Sequence, residues 1–295
     1  MDARDLRIFE AVARSGAMNR AADELHMVQS NVTTRIRQLE EELGAPLFIR
    51  QSRGVVLTPA GRRLLPYASR VRHLLEEARR AVEDDGRPKG ALAIGSLETT
   101  LAVRLSPLLS RYAAAYPDVD LVLRTGTSAE LVEEVLQHRL EGAFICGPAD
   151  HPELTQIPVF REELSMVTAA SVRGIDELSS KPDLKILILR AGCSYRQKLE
   201  SFLARRGIVG IRKLEFGTLQ AILTSVEAGL GVTLFPRSLV ECTQPRLKLR
   251  LHRLPKAEAF VDTVFIRRQD GFASSALTAF LDAARGEAAR AQAAE

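Results

Sequence analysis

The sequence predicts an α/β chain in three parts: a small helical unit with a wing, a long linker helix, and a larger domain of alternating strands and helices. Three observations carry this. AADELHMVQSNVTTRIRQLEEELG, residues 21–44, has the apolar spacing of two helices with a tight break between them. Ala60, Leu64, Tyr67, Val71, Leu74, Ala78 and Ala81 alternate steps of four and three, a heptad seam. From residue 91 onward, short apolar runs alternate with helical stretches, the pattern of sheets covered by helices.

The first helix spans residues 1–15, with Leu6, Phe9 and Val12 on one face and Gly16 ending it. This segment, MDARDLRIFEAVARSG, is amphipathic, carries acids and has no cleavage pattern, so a signal peptide is not expected. Three cysteines, Cys146, Cys193 and Cys242, lack CxxC spacing and suggest neither a disulfide framework nor a zinc site. Together these features point to a cytoplasmic protein. With 295 residues, 46% of them hydrophobic, the chain can build two or three domains with proper cores, and no apolar run is long enough to cross a membrane. The charge balance, 41 basic against 37 acidic side chains, is too even to identify a partner. Placement says more: Arg35, Arg37, Arg50, Arg53, Arg62 and Arg63 cluster early, where they create a phosphate-attracting field.

In the helix pair, Ala21, Ala22 and Leu25 mark one buried side, and Val32, Ile36, Leu39 and Leu43 another. The second helix's polar face carries Gln29, Ser30, Asn31, Thr33, Thr34, Arg35 and Arg37. Amides suit adenine, guanidinium groups suit guanine, and hydroxyls serve bases or phosphates, so this face fits a DNA major groove. Taken alone, the same pattern also describes any amphipathic helix with a solvated face. After Gly44, Leu47 and Phe48 are expected to close the core. Val55, Val56 and Leu57 form a strand and Gln51–Gly54 a polar turn, a wing with Arg50 and Arg53 placed for phosphate or the minor groove. A plain surface hairpin would look alike.

Thr58-Pro59 is a helix start, with a hydroxyl N-cap and proline in the first turn. The seam along that helix is too long for one small domain to cover, so a second copy is its natural cover, and Pro66 should bend it. DDGRPKG, residues 84–90, is the expected boundary. Beyond it, ALAIG (91–95), DLVLR (120–124), GAFIC (142–146), LSMVTA (164–169), LKILIL (184–189), GVTLF (231–235) and TVFIR (263–267) are expected strands in largely parallel sheets. Residues 100–116 should be helical, with Leu101, Leu105, Leu108, Tyr112 and Tyr116 inward. A last helix covers 274–285 with Leu277, Phe280 and Leu281 inward, and the tail after Gly286 should fray.

These residues carry a resemblance. LRIFEAVARSGAMNRAADELHMVQSNVTTRIRQLEEELGAPLFIRQSRGVVLTPAG, then LAIG, YPDVDLVLRTG, LEGAF and AILTSVEAGLGVTLFP, resemble the LysR-type transcriptional regulators over essentially the whole chain. The resemblance implies an N-terminal winged helix-turn-helix, a long linker helix that dimerises, and a two-lobed, periplasmic-binding-protein-like effector domain. It implies tetramers as the usual assembly and double-stranded promoter DNA as partner. The corresponding divisions are 1–58, 59–87 and 88–295, with lobe I at about 91–162 plus 267–290 and lobe II at about 163–266. It sets Gln29, Ser30 and Thr33 in the base-facing turn and Arg53 in the wing. The chain departs from the pattern at Ser30, often proline, and at Thr34, commonly arginine; here the arginine follows at Arg35. Ala17 and Val28 replace frequent serine caps, and Glu141 stands for an aspartate.

A ligand of a two-lobed α/β domain is expected between the lobes, beside strand C-termini and helix N-termini. Four loops qualify: Ser96-Leu97-Glu98-Thr99-Thr100, Thr127-Ser128, Cys193-Ser194-Tyr195-Arg196 and Gly217-Thr218. Their hydroxyls and amides suit a carboxylate or small anion, although Ser and Thr also serve simply as helix caps. Glu98 opposes an anion unless Arg196 compensates, which leaves a zwitterion or cationic amine open. Cys193, at a helix start near Arg196, would have a lowered thiol pKa and could sense oxidants, or could merely line the site. The candidate effector residues are thus Ser96, Glu98, Thr99, Thr100, Thr127, Ser128, Cys193, Ser194, Arg196 and Thr218.

No nucleophile elbow, phosphate loop, metal-ligand spacing or dinucleotide fingerprint occurs, and His26, His73, His138, His151 and His252 are scattered. The expectation is therefore no enzyme, no metal and no cofactor, but a DNA-binding regulator responding to a small-molecule effector. A redox regulator acting through Cys193 is the alternative, with a ligand-binding protein or enzyme without a DNA role behind it.

Overall fold

The computed structural model describes residues 1–51, 54–179, 183–189, 194–243 and 246–294, with backbone alone at 243 and 291–294. The chain divides into two compact units, Met1–Asp84 with Gln137–Arg139, and Asp85–Leu136 with Leu140–Glu295.

The first unit opens with α1 (Ala3–Ser15). Its start is closed reciprocally: Asp5 N–H donates to the Asp2 carboxylate at 2.9 Å, and Asp2 N–H to the Asp5 carboxylate at 3.1 Å. The first of these bonds holds the Asp2 carboxyl below its ordinary range. Gly16 ends α1 in the left-handed region at φ 68°. Next come α2 (Met18–Glu24) and α3 (Gln29–Leu43), whose N-cap residues Ala17 and Val28 provide no side-chain capping hydrogen bond. Phe9, Val12, Ala21, Val32, Ile36 and Leu39 fill the core, and Leu47 and Phe48 close it. Leu43 departs from expectation, being 40% exposed. The core ends with Leu39, and the last turn of α3 projects past it.

The wing's arms are β1 (Phe48–Gln51) and β2 (Gly54–Leu57), paired antiparallel. The long helix α4 (Pro59–Glu83) then starts on Thr58, whose Oγ1 accepts from Gly61 N–H at 3.0 Å and donates to the Pro46 carbonyl at 2.7 Å. A Cβ at Gly61 would stand 2.3 Å from the Leu47 carbonyl oxygen, so a glycine is required for α4 to start against the wing. The helix continues through Pro66. Buried Glu10 of α1 ties α4 down, accepting from Ser69 Oγ and Arg72 Nε, each at 2.8 Å. Of the seam, Leu64 and Val71 pack on the core; Tyr67, Leu74, Ala78 and Ala81 are exposed.

The second unit runs β3 (Gly90–Ser96), α5 (Glu98–Thr100), a π-helical segment Leu101–Leu105, α6 (Ser106–Ala115), β4 (Val119–Thr125), α7 (Ser128–Leu136) and β5 (Gly142–Cys146). The 16-residue β6 (Leu154–Ala169) follows. Then come β7 (Lys185–Ile188), α8 (Ser194–Ala204), β8 (Arg212–Glu215), α9 (Leu219–Glu227), β9 (Thr233–Pro236), α10 (Arg237–Thr243), β10 (Leu249–Arg253), β11 (Phe260–Arg268) and α11 (Ser275–Ala294).

The strand order β10-β6-β11-β5-β3-β4, with β9 also on β6, explains the two lobes. Residues 154–163 of β6 pair with β11 in the first lobe, and 164–169 pair with β9 and β10 in the second. In the second lobe β7 and β8 pair in parallel, and Ile186 bridges to Val232. Three readings are corrected here. The sheets are mixed rather than largely parallel: β3·β4, β3·β5 and β7·β8 are parallel, whereas every pairing of β6 and β11 is antiparallel. All of β11, rather than position 267 onward, lies with the first lobe, because β11 returns alongside the first part of β6. The helix expected over 100–116 starts at Glu98 and contains the π-helical segment. Leu277, Phe280 and Leu281 of α11 are buried as expected, and Tyr112 Oη donates to the Ala276 carbonyl at 2.7 Å. Past Gly286, where fraying was expected, α11 continues to Ala294. Among the described residues no helix is long and apolar enough to cross a membrane.

Candidate DNA-reading surface and ligand cavity

With Val32, Ile36 and Leu39 facing the core, α3 turns its polar arc outward. Gln29, Ser30, Asn31, Thr34 and Arg37 are exposed, and Thr33 and Arg35 are half-buried. Helical spacing gathers Asn31, Thr34, Arg35 and Gln38 on one side, where they line a polar recess with Arg4 and Met27. Gln29, Thr33 and Arg37 lie on the other side of the arc. Two members are partly engaged. Arg35 is held by Asp5 at 3.2 Å, and Arg37 pairs with Glu41 one turn on at 3.0 Å. Asp5 thus serves twice, closing the start of α1 and fixing the direction of Arg35. Arg50 is exposed on β1. Arg53 lies outside the described residues. Arg4 and Gln38 were missed, although Gln38 follows Thr34 by four and Asn31 by seven.

The cavity of about 70 Å³ in the second unit has first-lobe walls from the β3–α5 and β4–α7 turns. Leu97, Glu98 and Thr99 come from one, Thr125, Gly126, Thr127 and Glu130 from the other. The second lobe adds Leu189, Tyr195 and Gly217. Thr99 Oγ1 and Tyr195 Oη, both buried, meet across the lobes at 3.4 Å.

Of the described candidates, Glu98, Thr99 and Thr127 line the cavity, and Ser96, Thr100, Ser128, Ser194, Arg196 and Thr218 do not. Ser96 is fully buried and donates to the Leu97 carbonyl at 3.0 Å. Thr100 is buried behind Thr99 and absent from the lining. Ser128 and Ser194 turn to each other at 3.3 Å and to the backbone of Cys146, which joins the lobes without facing the cavity. The Thr218 hydroxyl caps α9, accepting from Ala221 N–H at 3.2 Å. Arg196, whose compensation of Glu98 was the condition for an anion, pairs with Glu200 at 2.9 Å and Glu215 at 3.5 Å. Cys193 lies outside the described residues. Tyr195 stands in a loop the sequence already singled out; Glu130 could have been found as the fourth residue of a capping box begun by Thr127.

A buried ion pair of the first lobe is joined by a hydroxyl of the second. Glu162 on β6 accepts from Arg104 Nε at 2.7 Å and Nη2 at 3.1 Å, and from Ser238 Oγ of α10 at 3.1 Å. Arg104 belongs to the π-helical segment. Among the described residues no cluster of His, Cys, Asp or Glu could hold a metal ion.

A helix-turn-helix unit with a polar reading face, joined to a two-lobed domain with a cavity between its lobes, defines a ligand-responsive DNA-binding regulator. The bacterial regulatory helix-turn-helix model of the lysR family matches residues 3–62, and the LysR substrate binding domain model matches residues 85–289. The chain is 46% identical over 282 residues to the uncharacterized HTH-type transcriptional regulator YusT of Bacillus subtilis (strain 168), covering 96% of this chain and 95% of YusT. It is 44% identical over 276 residues to GltR of the same organism, covering 94% and 93%. Full-length CbnR, solved with its target DNA, superposes with a TM-score of 0.69 at 24% identity, covering 97% of this chain and 100% of CbnR. The chain belongs to the LysR family: it is a DNA-binding transcriptional regulator with an effector-binding domain.

Proposed function

We propose that this chain reads a two-fold-related promoter site through α3 of two protomers paired along α4. Two such dimers assemble as a tetramer in the cytoplasm. A small molecule in the cavity at Glu98, Thr99, Thr127 and Tyr195 biases the lobes and thereby the spacing of the half-sites read. The observation that carries this reading is the polar arc of α3, exposed over an apolar core and rich in amides and hydroxyls. The regulator needs no cofactor and performs no chemistry of its own. Sequencing the DNA fragments retained by the purified protein tests it: retained fragments should share one pseudo-palindromic motif, and recovery of unrelated fragments would refute it.

Two substitutions separate the parts. Arg50 is exposed on the wing arm, and its proposed contact is to phosphate. Arg50→Ala should weaken all DNA sequences alike and reduce the slope of log affinity against log salt by about 1. A change in preferred sequence would instead make Arg50 a base reader. Thr99→Val removes one hydroxyl from the cavity with little change of shape, and should weaken effector binding by about 0.5–1.5 kcal/mol while ligand-free DNA affinity stays unchanged. Calorimetric titration with an effector identified from the target operon checks this; an unmoved affinity would place the effector elsewhere.

A further inference from the structure

Among the described residues, the charge lining the cavity is one-sided. Its described lining residues include two carboxylates, Glu98 and Glu130, and no basic side chain. Nearby arginines of the described chain are committed elsewhere: Arg196 to Glu200 and Glu215, Arg124 to Glu134, and Arg104 to Glu162. Two of the amides at these helix starts are also committed. Thr127 N–H and Oγ1 both donate to Glu130 Oε2, at 2.8 and 3.1 Å, and at α9 the Ala221 N–H is taken by Thr218. Glu98 is different. It is half-buried, and its carboxylate makes no hydrogen bond or ion pair with any described residue.

An unpaired carboxylate partly withdrawn from water repels an anion brought beside it and attracts a cation with donors to share. An ammonium group has three donors and no acceptor. Around Glu98 it finds matching oxygens on Thr99, Thr125 and Tyr195, while Leu97 and Leu189 offer apolar cover. We propose that the effector of this regulator is a small ammonium compound, a primary amine on a short apolar body, with Glu98 as its counter-ion. The volume of about 70 Å³ limits the enclosed part to a few heavy atoms. This assignment rests on the cavity being the effector site.

The test is calorimetric titration of the full-length protein at neutral pH, where alkylamines are protonated, with propylamine, 1,4-diaminobutane and butyrate as probes. At least one amine should bind and butyrate should not. Glu98→Gln, which keeps shape and removes charge, should weaken amine binding about tenfold or more without lowering the melting temperature. Glu98→Lys should reverse the preference toward butyrate. Tighter binding of butyrate than of either amine, failure of both amines to bind, or an amine affinity untouched by Glu98→Gln would each overturn the assignment. Gly217→Trp, placed to fill the cavity from the second lobe at a position with no neighbouring atom within 4 Å, separates the two layers of the argument. Butyrate binding that Gly217→Trp abolishes keeps the cavity and refutes the cation. Binding of any probe that survives Gly217→Trp refutes the cavity itself.

Discussion

Replacing Glu162 with alanine should lower the melting temperature of the effector domain by about 10 °C. Glu162 has 6% of its side chain exposed and its partner Arg104 12%, so the pair is well withdrawn from water. Removing the carboxylate leaves the guanidinium desolvated with two donors unmatched, a loss of about 3–5 kcal/mol for a buried pair. In a domain of this size, each kcal/mol corresponds to about 2–4 °C. Ser238 of the second lobe also loses its acceptor, so hydrogen exchange along β6 should rise on both sides of residue 162. Glu162→Gln, which preserves an acceptor for Ser238, should cost less. A shift under about 2 °C for Glu162→Ala would show that water or another carboxylate replaces Glu162 at no cost.

Leu74→Asp should convert the assembled protein to monomers and lower its DNA affinity about a hundredfold or more, because two half-sites held by one dimer bind with an avidity that separate heads lack. Within one protomer Leu74 is 43% exposed and its seam neighbour Tyr67 67%, and Leu75 and Val82 add apolar surface at 55% and 88%. So much exposed apolar surface on one helix is the mark of an interface. Because Leu74 lies outside the core of its own unit, the aspartate should leave the monomer folded, as far-ultraviolet circular dichroism would verify. Light scattering that finds the mutant still dimeric would mean that another surface holds the protomers together.

Helix α3 was legible because Val32, Ile36 and Leu39 repeat at helical spacing and the polar residues fall on the other side. Leu43 continues the same repeat and was misread, since periodicity gives a direction and not the place where the core ends. The caps followed the same logic: Thr58-Pro59 announced α4, and Ala17 and Val28 announced uncapped starts. Strands β8 and β10 were not legible, because RKLE and LRLHR alternate charge with single apolar residues. Nor was the first part of β6, where FREE interrupts the apolar run.

The cavity shows the sharper limit. Ser96, Thr99 and Thr100 look alike as letters, yet around the tight start at Glu98 only Thr99 faces the opening. The pairing of Arg196 with Glu200 was available from their spacing of four. Glu215, its second partner, comes from the unrecognised β8. Consequently the sequence favoured an anion where the assembled lining carries carboxylates.

The central claim, that α3 reads bases, is tested most directly by selecting binding sites from random DNA with the wild type and with Gln29→Ala. Gln29 is the first residue of α3, exposed and free to present its amide to a base edge. If the claim holds, the variant retains the same motif with one position per half-site relaxed, a loss of about 1–3 kcal/mol of discrimination at that position alone. An unchanged motif at every position, with affinity lowered equally for all sequences, would contradict it.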